Sequence, residues 1–211
     1  MRTPRLAGAL VASIVPAEAS AQATGGEAAA ARATPVRSKA PRDVRVGAVI
    51  RVQGALRSGP RRRTVLLELH ARGRWQVVDR DPTARGRRFE TAWRPRSAGS
   101  YRLRVRPIDA VAPAAAGRLV HVYRSSSASW FGPGLYGRRT ACGHTLAPDL
   151  VGVAHRSLRC GTRVRLRYGG RSVVAPVIDR GPYAGGREWD LTAATKRELG
   201  FPSTGAVLTN R

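Results

Sequence analysis

Residues 162–178 constrain the fold more tightly than any other segment. In Thr162-Arg163-Val164-Arg165-Leu166-Arg167-Tyr168 charged and apolar residues alternate, Gly169-Gly170 follows, and a second apolar-rich run occupies 172–178. Side chains of a strand point to opposite faces in turn, so a period of two marks a strand with one buried face. A Gly-Gly pair between two such runs supplies the positive-φ positions of a tight hairpin. The same rhythm recurs upstream, in Val44-Arg45-Val46, Val49-Ile50-Arg51-Val52, 64–70, Arg74-Trp75-Gln76-Val77-Val78, Phe89-Glu90-Thr91-Ala92-Trp93, Tyr101-Arg102-Leu103-Arg104-Val105 and 119–123. Turn signals separate these runs at Ser58-Gly59-Pro60, Ala71-Arg72-Gly73, Asp81-Pro82, Arg94-Pro95 and Ala98-Gly99. One helix is expected, at 192–199, with Gly200 as its stop. The chain therefore reads as mainly all-β.

The 211 residues suffice for two modest domains. Residues 43–124 read as an antiparallel β-sandwich, with alternating arginines on its solvated faces. The serines at 125–127 read as a short linker, and 128–211 as a second β-domain closed by a strand at 206–209. Ahead of them, Met1-Arg2-Thr3-Pro4-Arg5 is basic and 6–16 is apolar but too short for a stable membrane span. Ala19-Ser20-Ala21 then supplies a small-residue cleavage site. Residues 1–21 are expected to be a signal peptide and 22–42 a flexible linker. No cysteine follows the apolar stretch, so a secreted or envelope protein without a lipid anchor is expected. No later segment is apolar enough to cross a membrane.

The formal net charge is +25, and of 38 basic residues only Lys39 and Lys196 are lysine. Such a balance attracts polyanions: nucleic acid, anionic wall polymers or membrane surfaces. A GC-rich genome would produce the same arginine bias. Export and the lack of a nucleic-acid motif argue against nucleic acid. The two cysteines, Cys142 and Cys160, are expected to pair in an exported chain. The closed loop would contribute about 3 kcal/mol in the chain-entropy account. A zinc site with His144 and His155 and a Cys/His nucleophile are the alternatives; the zinc site lacks a second cysteine pair.

Two carboxylates stand out. Asp179 ends an apolar strand before Arg180-Gly181-Pro182, where it either faces a groove or caps the turn. Asp190, between Trp189 and Leu191-Thr192, either serves as an acid or caps the helix. Glycosidic cleavage needs a group to protonate the leaving oxygen, and hydrolases generally use two carboxylates. Glu188, adjacent to Trp189, is set aside, because alternation points it away from that neighbour of Asp190. Trp130, Phe131, Tyr136 and Tyr183 offer flat faces for sugar rings, with core packing as the other reading for Trp130 and Phe131. His144 and His155 could move protons near neutral pH.

These residues carry a family resemblance. Ala128-Ser129-Trp130-Phe131-Gly132, Tyr136-Gly137-Arg138-Arg139-Thr140-Ala141, Val153-Ala154-His155, Asp179-Arg180-Gly181-Pro182-Tyr183 and Asp190-Leu191-Thr192 resemble, in order, the double-psi β-barrel of the rare lipoprotein A family. More distantly, expansins and family 45 endoglucanases share that barrel. The resemblance implies a six-stranded barrel and an endolytic lytic transglycosylase that cleaves between N-acetylmuramic acid and N-acetylglucosamine, leaving a 1,6-anhydro sugar. It implies Asp190 as a key acid; Asp179 and His155 are expected to act with it as catalytic residues, and Trp130, Tyr136, His144, Arg180 and Tyr183 are the expected substrate contacts. Peptidoglycan is the implied partner; no cofactor or metal is expected, and the chain is expected to be a monomer. One departure stands: the family's usual Glu and Asp after Thr-Ala are His144 and Ala147 here. A non-catalytic wall-binding or expansin-like wall-loosening module is the alternative. The upstream β-domain loosely resembles bacterial immunoglobulin-like modules, most clearly at Arg94-Pro95-Arg96-Ser97-Ala98-Gly99-Ser100-Tyr101.

Overall fold

The structure, a computed structural model, describes residues 36–71, 73–110, 117–183 and 185–211. The expected signal peptide and most of the expected linker lie outside the described residues. In chain order the elements are β1 (Val36–Lys39), β2 (Asp43–Arg45), β3 (Ile50–Leu56), β4 (Thr64–Ala71), β5 (Arg74–Pro82), β6 (Arg88–Trp93), β7 (Gly99–Pro107), β8 (Arg118–Phe131), β9 (Val153–Ala154), β10 (Arg163–Tyr168), β11 (Arg171–Asp179), β12 (Trp189–Thr192), α1 (Ala193–Leu199) and β13 (Gly205–Thr209). The protein is all-β with one short helix. No helix among the described residues is long and apolar enough to cross a membrane.

Two sheets build the upstream half. One runs β1-β3-β6; in the other β4 lies between β5 and β7, and β8 joins β7 and β2. Ile50 and Val52 from the first meet Leu67, Leu69, Leu103, Val120 and Val122 from the second in one apolar interior. β1 falls inside the segment expected as linker. Its residues pair antiparallel with β3, covering an edge whose backbone groups would otherwise lack partners. Not every arginine lies on a solvated face either. Glu68 is only 4% exposed; it accepts from Arg104 at 2.6 Å and Arg106 at 2.9 Å. A buried carboxylate needs such partners, and it draws both arginines inward.

The serines at 125–127 are not a linker. β8 continues unbroken through them, and Ser125, Ser126 and Ser127 pair with Leu208, Val207 and Ala206 of β13. Serine has little strand preference of its own, and here the neighbouring strand decides. The downstream half of β8 enters a closed ring of pairings, β8-β12-β9-β11-β10-β13 and back to β8. Trp189, Leu191, Val164, Leu166, Val177 and Val207 fill its centre. The β10–β11 hairpin turns at Gly169 and Gly170, whose φ values of 52° and 83° are open to glycine without strain. α1 covers the ring, burying Ala194, Thr195 and Leu199. Its N-cap is Thr192, whose side chain accepts from the Thr195 N–H, and Gly200 ends it in the left-handed conformation.

Candidate active site

Strand pairing places the two aspartates in one row. Ala154 of β9 is paired with Asp179 of β11 on one side and with Asp190 of β12 on the other. Asp190 is paired in turn with Ser129 of β8. Residues opposite one another in a sheet share a face, so Asp179, Ala154, Asp190 and Ser129 project together. The β11 and β12 backbones are two strand spacings apart, about 10 Å, with only the Ala154 methyl between them in that row. A register shift between Val177 and Asp179 re-aims the end of β11. Trp189 and Leu191, fully buried on either side of Asp190, hold that residue outward.

The environments of the two carboxylates differ. Asp190 is half-buried and accepts a 2.8 Å hydrogen bond from the Ser129 hydroxyl. Burial pushes its pKa above the usual aspartate value. The Asp179 charge adds to this, while the Ser129 hydrogen bond and Arg187 oppose it. Asp190 therefore holds its proton to higher pH than an ordinary aspartate. It is not the helix cap, because Thr192 fills that position. Asp179 does hold its turn: Oδ1 accepts from the Ala141 and Arg180 N–H groups, both at 2.8 Å. Its Oδ2 makes no hydrogen bond among the described residues.

His155 belongs to a neighbouring cluster. Its Nδ1 accepts from the Ser157 and Leu158 N–H groups at 3.1 Å, and its ring lies 4.5 Å from that of Trp189. Two donors at Nδ1 leave the proton of the neutral ring on Nε2, which lies 3.7 Å from Glu188. That separation is an electrostatic contact rather than a hydrogen bond. Burial pushes the His155 pKa down, outweighing the attraction of Glu188. Glu188 is held by both terminal nitrogens of Arg124 and by the Ser126 hydroxyl. Burial opposes its ionisation, but those hydrogen bonds prevail and hold its carboxyl below the usual range.

The remaining expected contacts divide. Tyr183 is 77% exposed, and Tyr136 and His144 are also exposed. Trp130 packs against the ring's core, with the Lys196 ammonium 4.2 Å over its face. Arg180 is committed to the adjoining loop, donating to the Leu158 carbonyl at 2.9 Å and to the His155 carbonyl at 3.4 Å. Cys142 and Cys160 form the expected disulfide, so neither sulfur is a thiolate metal ligand or nucleophile. Sequence reading missed Ser129 as the partner of Asp190. The only signal was its place in the Ala-Ser-Trp-Phe motif, and the contact itself required knowing that β8 and β12 pair. Two sizeable cavities lie in the upstream half, and neither is lined by Asp179 or Asp190.

Residues 124–209 match the protein family described as lytic transglycolase. The barrel belongs to the rare lipoprotein A-like double-psi family. Over 80 residues the chain is 48% identical to a Synechocystis protein named probable endolytic peptidoglycan transglycosylase RlpA, covering 37% of this chain and 25% of that one. It is 40% identical over 85 residues to the Pseudomonas aeruginosa endolytic peptidoglycan transglycosylase RlpA, covering 38% of this chain and 24% of the relative. The Neisseria meningitidis protein of that name is 34% identical over 86 residues, covering 40% and 36%. The chain thus spans between about a fifth and two-fifths of the length of such relatives. The family match lies in the barrel half, residues 124–209.

Proposed function

We propose that the protein is exported and cleaves peptidoglycan glycan strands as an endolytic lytic transglycosylase, at the N-acetylmuramic acid to N-acetylglucosamine linkage. One observation carries the reading. In a domain of the lytic transglycolase family, a half-buried aspartate with a raised pKa stands in one row with a second aspartate. Asp190 is the general acid: it protonates the glycosidic oxygen as the bond to C1 of the muramic acid breaks. The C6 hydroxyl of that sugar then attacks C1. Asp179, through its open Oδ2, receives the hydroxyl proton. The products are a free 4-hydroxyl on one sugar and a 1,6-anhydro ring on the other, with no water consumed. Loss of the family's Glu and Asp at His144 and Ala147 leaves this pair to carry both proton transfers. In this scheme His155 orients the strand end beside Asp190 through its contacts with Trp189 and Glu188.

Digestion of purified sacculi followed by mass spectrometry tests the proposal. Anhydro-muropeptides are the expected products, and Asp190→Asn should lower their rate by about 10²–10⁴-fold, the usual contribution of a general acid. A folded protein that releases none overturns the reading. His144 and Ala147 favour a second reading, a wall-binding or wall-loosening module. It predicts sacculus binding that survives Asp190→Asn, with no anhydro product from either protein.

A further inference from the structure

Most of the positive charge takes no part in the site on the barrel. Four arginines, Arg61, Arg62, Arg85 and Arg87, line one groove of about 970 Å³ between the β3–β4 and β5–β6 connections. Thr83 stitches these connections together. Its N–H donates to the Arg63 carbonyl at 3.0 Å; its hydroxyl accepts from the Arg63 N–H at 3.0 Å and donates to the Arg61 carbonyl at 3.1 Å. Arg87 has a φ of 57°, alone among the described non-glycine residues in being positive. Such a conformation costs on the order of 1 kcal/mol for a residue with a Cβ, and glycine would occupy it freely. What arginine adds there is a guanidinium, anchored through Nε to the Gly59 carbonyl at 2.9 Å.

Among the described residues, none of the four makes an ion pair, whereas the adjacent Arg63 pairs with Asp109 at 2.6 Å. Four like charges gathered on two stitched loops repel one another, and an anion between them removes that repulsion. The guanidinium fork matches phosphate and carboxylate oxygens bidentately. The groove is also far larger than a single inorganic anion, so it suits an extended chain.

We propose that this groove binds an anionic wall polymer, a glycan or polyol chain carrying repeated phosphodiester or carboxylate groups. Anchoring there would hold the barrel near wall glycan and raise its effective concentration. The proposal stands independently of the barrel's catalytic reading.

The test uses the full chain at about physiological ionic strength, with fluorescein-labelled poly(glycerol phosphate) and polygalacturonate as probes read by anisotropy. Arg61→Gln/Arg62→Gln/Arg85→Gln is compared with a control of equal charge loss on exposed barrel positions, Arg163→Gln/Arg171→Gln/Arg197→Gln. The groove variant should weaken Kd about tenfold and the control by less than about twofold. Loss confined to poly(glycerol phosphate) assigns the anion as phosphodiester, and loss confined to polygalacturonate assigns it as carboxylate. Equal loss in both variants shows a whole-molecule charge effect and overturns the proposal. Preference for a single-stranded DNA oligonucleotide over both polymers overturns it as well. Should the glutamine variant melt early, the Arg→Lys triple replaces it: charge is kept, the forks are lost, and an intermediate weakening is expected. Asp190→Asn should bind both probes as the wild type does, which separates failure here from failure of the catalytic reading.

Discussion

At the scale of the residue, Asp190 and His155 respond to pH in opposite senses. The folded-state pKa of Asp190 is raised, chiefly by burial. Its contribution to stability is therefore complete below the ordinary aspartate value of about 3.9 and is lost as pH rises through the folded value. Asp190→Asn should be more stable than wild type near neutral pH, with the advantage vanishing in acid, as thermal melts across pH would show. An advantage that grows in acid would refute the assignment. His155 is depressed by burial, so its contribution is present above about 6.5 and is lost as pH falls through the folded value. Protonating Nδ1 would also break two backbone hydrogen bonds. His155→Gln should accordingly flatten the acid side of the urea-midpoint profile. Both aspartates were visible in the sequence, Asp179 at the end of an apolar run and Asp190 just before the helix. Their shared row was not, because it depends on β9 lying between β11 and β12, segments far apart in the chain.

Among the elements, α1 shows what local chemistry can specify. The 192–199 segment and its Gly200 stop were legible because the cap residues and the helix they bound are contiguous. Thr192 does more than cap. It is fully buried, and its Oγ1 also accepts from the Gly152 N–H at 3.2 Å and donates to Thr195 Oγ1 at 3.0 Å. Thr192→Ala should cost at least about 1 kcal/mol, a melting shift of roughly 2–4 °C for a chain of this size. Thr192→Ser, which keeps the hydroxyl, should recover most of it; no recovery would assign the loss to the missing methyl group. The Gly169-Gly170 hairpin was legible for the same local reason. β1 and the middle of β8 were not. Val36–Lys39 and the three serines carry weak strand signals of their own, and they become strands because β3 and β13 offer backbone partners.

For the whole molecule, β8 decides whether the two halves behave as one. It pairs with β7 at its start and with β13 and β12 at its end, with no break at the serines. Two further contacts cross the same junction: Arg167 donates to Asp43 at 2.9 Å, and Asn210 donates to Ser100 at 2.9 Å. The described residues fall within a single compact unit. Unfolding either half must remove one end of a strand that the other half uses, so loss of one half exposes an unpaired edge on the other. The expected result is a single calorimetric transition whose measured and van't Hoff enthalpies agree. Ser126→Pro is the sharper probe, because proline cannot donate to the ladder within a central strand. It sits where β8 meets Val207 and also removes the hydroxyl held by Glu188. Near-UV circular dichroism from the upstream Trp75 and Trp93 and from the barrel's Trp130 and Trp189 should then be lost together at a lower temperature. Two separate transitions, with the upstream tryptophans untouched by Ser126→Pro, would show that the halves are joined but not coupled.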